Sequence, residues 1–193
     1  AYCLMSNHFH FLIQQTKATK VHLVGHSVGG AIATILTEKL GEKLGTYINV
    51  DGNLIAEDCG IMTRKAAGVS FEDFLHTVFP QIKTGFTTSL SKGEQLFGRQ
   101  LNRTSAQAFY KTASSVVTWC DSGQLLARFL DLPKKAHIYG EKSSQWLASG
   151  PKLSKAFAEK KVPTASISNA GHFVMNDNPK EFYNILSQIP SAL

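Results

Sequence analysis

Apolar segments alternate with polar ones along the first part of the chain in a way that predicts an α/β unit. Residues 21–24 and 47–50 form short apolar runs, which have the length of strands buried in a parallel sheet. The segment between them has apolar residues at helical spacing, namely Ala31, Ile32, Ile35, Leu36 and Leu40. This spacing predicts a helix over residues 29–44, ended by Gly41 and Gly45. Strand, helix and strand in this order indicate one parallel unit.

The last third of the chain continues the same alternation. Strands are predicted over residues 135–140 and 163–168, with a helix over residues 154–160 between them. A final helix is predicted over residues 178–186, with Pro179 at its first position, where a proline is well tolerated. The fold class is therefore predicted to be α/β with a mostly parallel sheet.

Residues 57–115 have a different pattern, which predicts a helical insertion. Helical stretches over residues 71–78 and 105–117 are expected to be separated by breaks at four positions, Pro80, Gly85, Gly93 and Gly98. The segment is too long and too structured for a loop. Just after it, Asp121 with Gln124 three residues later predicts a capping box that opens a helix over residues 122–130.

A nucleophile motif stands between the first strand and the first helix. Gly25-His26-Ser27-Val28-Gly29 is a G-x-S-x-G sequence, and a sharp strand-to-helix turn is where this sequence presents a reactive serine. The alternative is a glycine-rich turn with an idle serine. A serine hydroxyl also needs a histidine base and an orienting carboxylate. His172 is the candidate base, because it follows the strand predicted over residues 163–168.

With these motifs, the chain resembles the α/β-hydrolase superfamily over about residues 18–193. The resemblance rests on the elbow sequence at residues 25–30, on Ala170-Gly171-His172-Phe173, and on the order serine, acid, histidine. It implies that the backbone N–H of Val28 stabilises an oxyanion and that no metal or organic cofactor is needed. It also implies a core formed by residues 18–56 and 116–193, with residues 57–115 as a helical cap.

The chain departs from the family at the acid. Many members carry an aspartate at the position that Ser143 occupies here, in Gly140-Glu141-Lys142-Ser143. Some relatives use a carboxylate at the end of the strand that follows the nucleophile helix, and Asp51 stands there. We therefore expect Asp51 to be the acid, with Glu141 and Asp121 as alternatives. Asp51 can also be a turn-forming Asp-Gly residue, and Asp121 a helix cap.

A second departure concerns the start of the chain. Relatives supply a second oxyanion N–H from a loop after an earlier strand, and only about twenty residues precede the serine strand here. The expectation is an N-terminally incomplete fold, as in a fragment or a fusion. Residues 1–17 are predicted to be a segment foreign to the hydrolase.

The foreign segment resembles the HUH endonuclease family of REP-associated tyrosine transposases. His8 and His10 alternate on a candidate strand, so both side chains would share one face, as in that metal site. No tyrosine-bearing helix follows, and two histidines are only half of a metal site. We therefore predict no metal, with His8 and His10 as weak candidates.

Composition narrows the possible functions. The chain carries a net charge of +6, but the excess is spread along its whole length, so no nucleic-acid partner is expected. Cys3, Cys59 and Cys120 are widely spaced, which favours a reduced, cytoplasmic setting. No apolar run is long enough to span a membrane, and no secretory signal is seen.

The sequence thus predicts a serine hydrolase that acts on a small molecule. The expected substrates are carboxylic esters with an apolar acyl or alkyl group, because the insertion is rich in aromatic residues, namely Phe71, Phe74, Phe79, Phe86, Phe97 and Phe109. Two other functions stay open: a non-catalytic, hydrolase-like binding protein or inactive fragment, and a remnant of a HUH-type DNA endonuclease.

Overall fold

A parallel sheet of four strands carries the fold. The computed structural model describes residues 3–5, 8–10, 19–60 and 62–192. The first two strands, β1 (Cys3–Met5) and β2 (His8–His10), form a separate antiparallel pair. The larger sheet contains, in spatial order, β3 (Val21–His26), β4 (Leu44–Val50), β5 (Lys135–Gly140) and β6 (Thr164–Ile167). Neighbours in this sheet are parallel, so the chain must cross over between them.

Helices fill these crossovers. They are α1 (Val28–Leu40), α2 (Thr63–Ala67), α3 (Phe71–Asp73), α4 (Phe79–Thr87), α5 (Lys92–Leu101), α6 (Ala106–Asp121), α7 (Gln124–Asp131), α8 (Ser144–Glu159), α9 (Val174–Asp177) and α10 (Pro179–Ala192). Short 3₁₀ segments occur at Gly41–Lys43 and Ala56–Cys59, and a π-helical turn at Phe74–Val78 joins α3 to α4.

Each face of the sheet has its own buried cluster. Successive residues of β4 point to opposite faces, so Tyr47 packs into one cluster with Phe129 and Phe157, and Ile48 packs into the other with Phe182. A third cluster lies within the helical insertion, around residues such as Phe74, Phe79 and Leu101. The two faces of β4 are thus both covered, as in a doubly covered parallel sheet.

The predicted strands are confirmed, and the predicted helices differ mainly in extent. The first helix ends at Leu40, four residues before the predicted end, because Gly41 adopts a φ of 49°. The helix predicted over residues 154–160 begins at Ser144 and continues through Pro151. The last helix continues to Ala192.

The predicted breaks inside the insertion are wrong. Gly85 lies within α4, and Gly93 and Gly98 lie within α5. Gly98 marks a close approach of two helices, because a Cβ there would lie 2.8 Å from the backbone nitrogen of Thr87 in α4. Pro80 is at the N-terminal end of α4, where a missing N–H is tolerated after the π-helical turn.

The predicted capping box at Asp121 is also wrong. Asp121 is the last residue of α6, and α7 begins after Gly123, which has a φ of 72°. The carboxylate of Asp121 instead accepts two hydrogen bonds from the guanidinium of Arg64. The end predicted for the helical cap, at residue 115, lies inside α6.

Candidate active site

Ser27 occupies the turn between β3 and α1 in a conformation that is unusual for a residue with a side chain. Its φ is 54° and its ψ is −131°. Such a conformation costs about 1–3 kcal/mol and persists only where the backbone is fixed by its neighbours. The N–H of Ser27 donates to the carbonyl of Val50 at 3.2 Å, and its own carbonyl accepts from Gly30 and Asn53. The β3–β4 pairing and the start of α1 therefore hold the turn in place.

Gly25 explains why strand and helix can meet so closely at this turn. A Cβ at this position would lie 2.7 Å from the carbonyl oxygen of Gly29 and 2.8 Å from the Cβ of Ala33. Those contacts are shorter than real Cβ atoms tolerate, so the first turn of α1 requires a glycine in β3.

Asp51 and His172 are joined by a hydrogen bond although 121 positions separate them in the chain. Nδ1 of His172 lies 2.9 Å from Oδ2 of Asp51. Asp51 follows β4 and His172 follows β6, so the carboxyl ends of parallel strands bring the two side chains to one edge of the sheet. The Asp51 residue is 1% exposed and His172 is 9% exposed, so water competes little for this contact.

Ser143 is the residue whose role the sequence did not predict. It occupies the position where many relatives carry the acid, and its hydroxyl donates a hydrogen bond to Oδ2 of Asp51. The hydroxyl oxygen of Ser143 accepts from the N–H of Trp146 at 3.3 Å, so Ser143 also caps α8. Gln145 donates from Nε2 to the Asp51 carbonyl at 2.8 Å. The sequence signal for this role was that Ser143 stands where many members of the family carry an aspartate.

Removal of the Ser143 hydroxyl is expected to weaken the support of Asp51 without removing the acid. Ser143→Ala leaves one fewer hydrogen bond on a buried carboxylate, which costs about 1–3 kcal/mol of stability. We expect kcat to fall by roughly tenfold to a hundredfold, the usual effect of removing a residue that orients a functional side chain. Urea denaturation and ester kinetics measure the two effects. Ser143→Thr keeps the hydroxyl and is the matched control.

The two alternative acids lie away from His172. Glu141 is exposed, and its carboxylate accepts from the N–H of Asn169 at 2.9 Å. Asp121 binds Arg64 on the surface. Asp51 is therefore the candidate acid that the structure brings into contact with His172.

His26 supports the loop that carries His172. Its Nε2 lies 2.8 Å from the carbonyl oxygen of His172, which can only accept, so Nε2 carries the proton. Burial and the nearby His172 lower the pKa of His26 to about 3. A neutral His26 adds no positive charge beside His172.

Asp177 links the helical insertion to the same loop. Its Oδ2 accepts from the N–H of Gly171 at 2.9 Å, directly before His172. Its Oδ1 accepts from the hydroxyl of Ser91 and the N–H of Gly93, both at 3.1 Å, at the start of α5. Sequence reasoning missed this residue, because nothing in its local pattern marks a contact with residues 84 and 86 positions away.

One cleft is lined by several of the candidate residues. It has a volume of about 40 Å³, and its walls are Ser27, Val28, Asn53, Asp58, Met62, Thr63, Phe86, Glu94, Ser144, Gln145 and His172. Val28 is the first residue of α1, so its N–H is among those without a partner inside the helix. Of the six phenylalanines expected to surround a substrate, Phe86 lines this cleft, whereas Phe74 and Phe79 are buried in the core of the insertion.

Asp58 is a second buried carboxyl group in the wall of the cleft. Its Oδ2 accepts from the backbone N–H groups of Leu54 and Ile55 at 2.8 and 3.0 Å. Burial nevertheless raises the pKa of Asp58 to about 6, because these bonds only partly offset the loss of water. The carboxylate is therefore costly to the free protein at neutral pH.

This cost gives a pH-dependent difference in stability. The folded protein holds the Asp58 proton up to about pH 6, whereas an unfolded chain releases it near its usual value, so this group lowers the free energy of unfolding as pH rises between these values. Asp58→Asn lacks the effect. The free energy of unfolding of the variant relative to wild type should therefore increase by about 2–3 kcal/mol from pH 4 to pH 7. Urea titrations at both pH values measure it, and a constant difference would contradict the raised pKa.

The histidines of the proposed foreign segment, His8 and His10, are the weak metal-site candidates of the sequence. The backbone of β2 contains His8 and His10, but their side chains lie outside the described residues. Among the side chains that are described, no group of three or more His, Cys, Asp or Glu residues could hold a metal ion. Within the same part of the chain, every helix is too short or too polar to cross a bilayer.

The sequence and the fold both match known proteins. Residues 5–185 match the profile of the alpha/beta hydrolase family, and the match begins within the segment predicted to be foreign. A search of curated proteins returns no match. Similar solved structures include a carboxylesterase of the thaumarchaeon Nitrososphaera gargenis, with a TM-score of 0.68 and 17% identity over 91% of this chain and 66% of that one.

Two further structures have the same fold. An esterase from Thermogutta terrifontis aligns with a TM-score of 0.64 and 16% identity, over 88% of this chain and 64% of that one. The E-2-(acetamidomethylene)succinate hydrolase aligns with a TM-score of 0.64 and 18% identity, over 90% and 67%. The chain thus spans slightly less than two thirds of the length of the first two proteins and about two thirds of the third. The family profile covers most of the sequence, and the chain belongs to the alpha/beta hydrolase family.

Proposed function

We propose that the chain is a serine hydrolase that cleaves carboxylic esters of small molecules. In this proposal Ser27 is the nucleophile, His172 the general base and then acid, Asp51 the group that orients His172, and the Val28 N–H an oxyanion donor. The observation that carries the proposal is the hydrogen bond between Asp51 and His172, at a cleft that Ser27 also lines.

The tautomer of His172 follows from this bond. An ionised carboxylate only accepts hydrogen bonds, so Nδ1 of His172 carries the proton that points to Asp51. Nε2 then has a free lone pair. A base in this state can take the proton of the Ser27 hydroxyl as its oxygen attacks a carbonyl carbon.

The proposed reaction has two halves, the acylation of Ser27 and the hydrolysis of the acyl-serine. Ser27 Oγ bonds to the ester carbon, its proton passes to Nε2 of His172, and the oxyanion accepts from the Val28 N–H. The tetrahedral species collapses as the alcohol leaves with the proton from His172. Water attacks the acyl-serine with the same base, and Ser27 regains its proton as the acid leaves.

Two neighbours of His172 bear on the positive charge that develops on its ring in the proposed reaction. Asp51 is almost fully buried and accepts the Nδ1 proton, so it stabilises the imidazolium at short range. His26 is neutral over the working pH range, so it opposes this charge little. These features favour proton transfer to His172 and support its role as base.

Two observations favour esters as the substrate class in this proposal. Two of the similar structures are described as a carboxylesterase and an esterase. In this chain, Met62 and Phe86 supply an apolar wall to the cleft, suited to an alkyl or acyl group. We propose that residues 57–115, which contribute this wall, act as a cap over the substrate.

Trapping the acyl group tests the proposal directly. Reaction with p-nitrophenyl acetate should give a burst of p-nitrophenol, and peptide mass spectrometry should locate an acetyl group on Ser27. An acetyl group on another residue, or no covalent intermediate under conditions of turnover, would contradict the assignment of the nucleophile.

A further inference from the structure

The cleft beside Ser27 is acidic although the protein is basic. The chain has a net charge of +6, yet the residues that line the cleft include two carboxylic acids, Asp58 and Glu94, and neither lysine nor arginine. Such a lining favours a ligand with positive charge. A second, independent feature of the same wall is a pair of buried acceptors without a donor among the described residues.

Two buried oxygen atoms in this wall lack a donor within the described part of the chain. They are Oδ1 of Asp58 and Oδ1 of Asn53, and the two residues are 4% and 2% exposed. Buried acceptors are almost always paired, so two such atoms in one cleft require a ligand or solvent. Both residues line the cleft that Ser27 lines, so this requirement lies at the candidate active site.

The nearby donors are already engaged elsewhere. Nδ2 of Asn53 donates to the carbonyl of Asp58 at 2.9 Å. The hydroxyl of Ser149 is near enough to Asp58 to lower the pKa of its carboxyl group, but it has a single proton, which it donates to the carbonyl of Gln145 at 3.0 Å. The backbone donors at Leu54 and Ile55 bind the other oxygen of Asp58. A partner for the two free oxygens must therefore bring its own hydrogen atoms.

A primary ammonium group has the chemistry that this wall lacks. It carries three donors and no acceptor, so it can donate to more than one oxygen and adds no new unpaired lone pair. It also supplies a positive charge to a carboxylate that is otherwise buried without one. A neutral hydroxyl offers a single donor and no charge, and a guanidinium carries five donors, more than two acceptors can use.

This pair lies beside the turn that bears the candidate nucleophile. The N–H of Asn53 donates to the carbonyl of Ser27 at 3.1 Å, so the pair is fixed to the turn that bears the nucleophile. We propose that Asp58 and Asn53 form a subsite for the primary ammonium group of an amino-acyl ester. The inference rests on the proposed function and specifies its substrate class.

Matched esters test this subsite. The ethyl esters of glycine, β-alanine and 4-aminobutyric acid are compared with ethyl propanoate, butanoate and pentanoate, in which a methyl group replaces each ammonium. Wild type should prefer at least one amino ester over its partner by about tenfold to a hundredfold in kcat/KM, the usual size of a hydrogen bond to a charged group. No preference in any pair would overturn the subsite.

Two variants identify the residue responsible. Asp58→Asn keeps the size of the side chain but removes its charge, so the preference should disappear mainly through a higher KM for the amino ester. Glu57→Gln is the control, because Glu57 is the adjacent acid but is exposed and paired with Lys152 at 3.1 Å. Equal losses for both members of a pair in Asp58→Asn would mean a structural role only and would overturn the proposal.

A binding measurement separates this inference from the proposed function. Propylammonium and 1-propanol are compared by saturation-transfer NMR with the wild-type chain, which needs neither turnover nor a folded variant. Preferential binding of the ammonium supports the subsite even if no ester is cleaved. Ester cleavage by Ser27 without preference for ammonium in either assay overturns the subsite and leaves the hydrolase assignment intact.

Discussion

Ser27→Ala should reduce kcat for short p-nitrophenyl esters by at least about 10⁴-fold, because the loss of a serine nucleophile removes the covalent pathway altogether. The same variant should lose all labelling by a fluorophosphonate. A smaller side chain also fits the strained turn at Ser27, so the fold should persist. Steady-state kinetics, gel-based labelling and circular dichroism measure the three outcomes.

A second serine in the cleft provides the control for labelling. Ser144 lines the same cleft but begins α8 and contacts neither Asp51 nor His172 in the hydrogen bonds of the site. Ser144→Ala should keep the label. If Ser27→Ala labels as strongly as wild type, the nucleophile is a different residue.

Asp51→Asn should lower kcat by about 10⁴-fold with a much smaller effect on KM. An amide at this position can offer an N–H to Nδ1 of His172, which favours the wrong tautomer and leaves the imidazolium without its partner. The variant keeps the size of the side chain, so the packing around it changes little, but the Ser143 hydroxyl can no longer donate to an amide nitrogen at this position and must accept from it instead. The pH profile of kcat/KM separates this effect from unfolding.

Three further variants sharpen this result. Glu141→Gln and Asp121→Asn alter exposed carboxylates that bind Asn169 and Arg64, so both should retain wild-type kcat. The double variant Asp51→Asn with Ser143→Asp moves the acid to the position that many relatives use, and part of the activity should return. Loss of activity in Glu141→Gln alone would place the acid after β5.

Much of the fold could be predicted because its elements carry strong local patterns. The run Val21–Val24 and the segment Lys135–Gly140 are apolar and flanked by polar residues, and both form strands of the sheet. Helix α8 is longer than the predicted helix over residues 154–160, because it begins at Ser144 and continues through Gly150 and Pro151. Local propensity is weak here, and packing of the helix against the sheet decides.

The candidate site shows the same limit. Ser27 and His172 stand in short motifs, so sequence reasoning reached them directly. The links that complete the site are tertiary: Ser143 to Asp51, and Asp58 beside the cleft. Such contacts join residues that are far apart in sequence, and no local pattern encodes them. The capping box predicted at Asp121 failed for the same reason, since its partner Arg64 lies 57 positions away.

The bridge made by Asp177 couples the position of α5 to the loop that carries His172. Ser91 and Gly93, at the start of α5, are held by one oxygen of Asp177. The other oxygen holds Gly171, the residue before His172. An outward displacement of α5 would therefore either break this bridge or move the loop that carries His172. If residues 57–115 act as the proposed cap, opening it would displace the candidate base, and the site would react least readily while it is open to water.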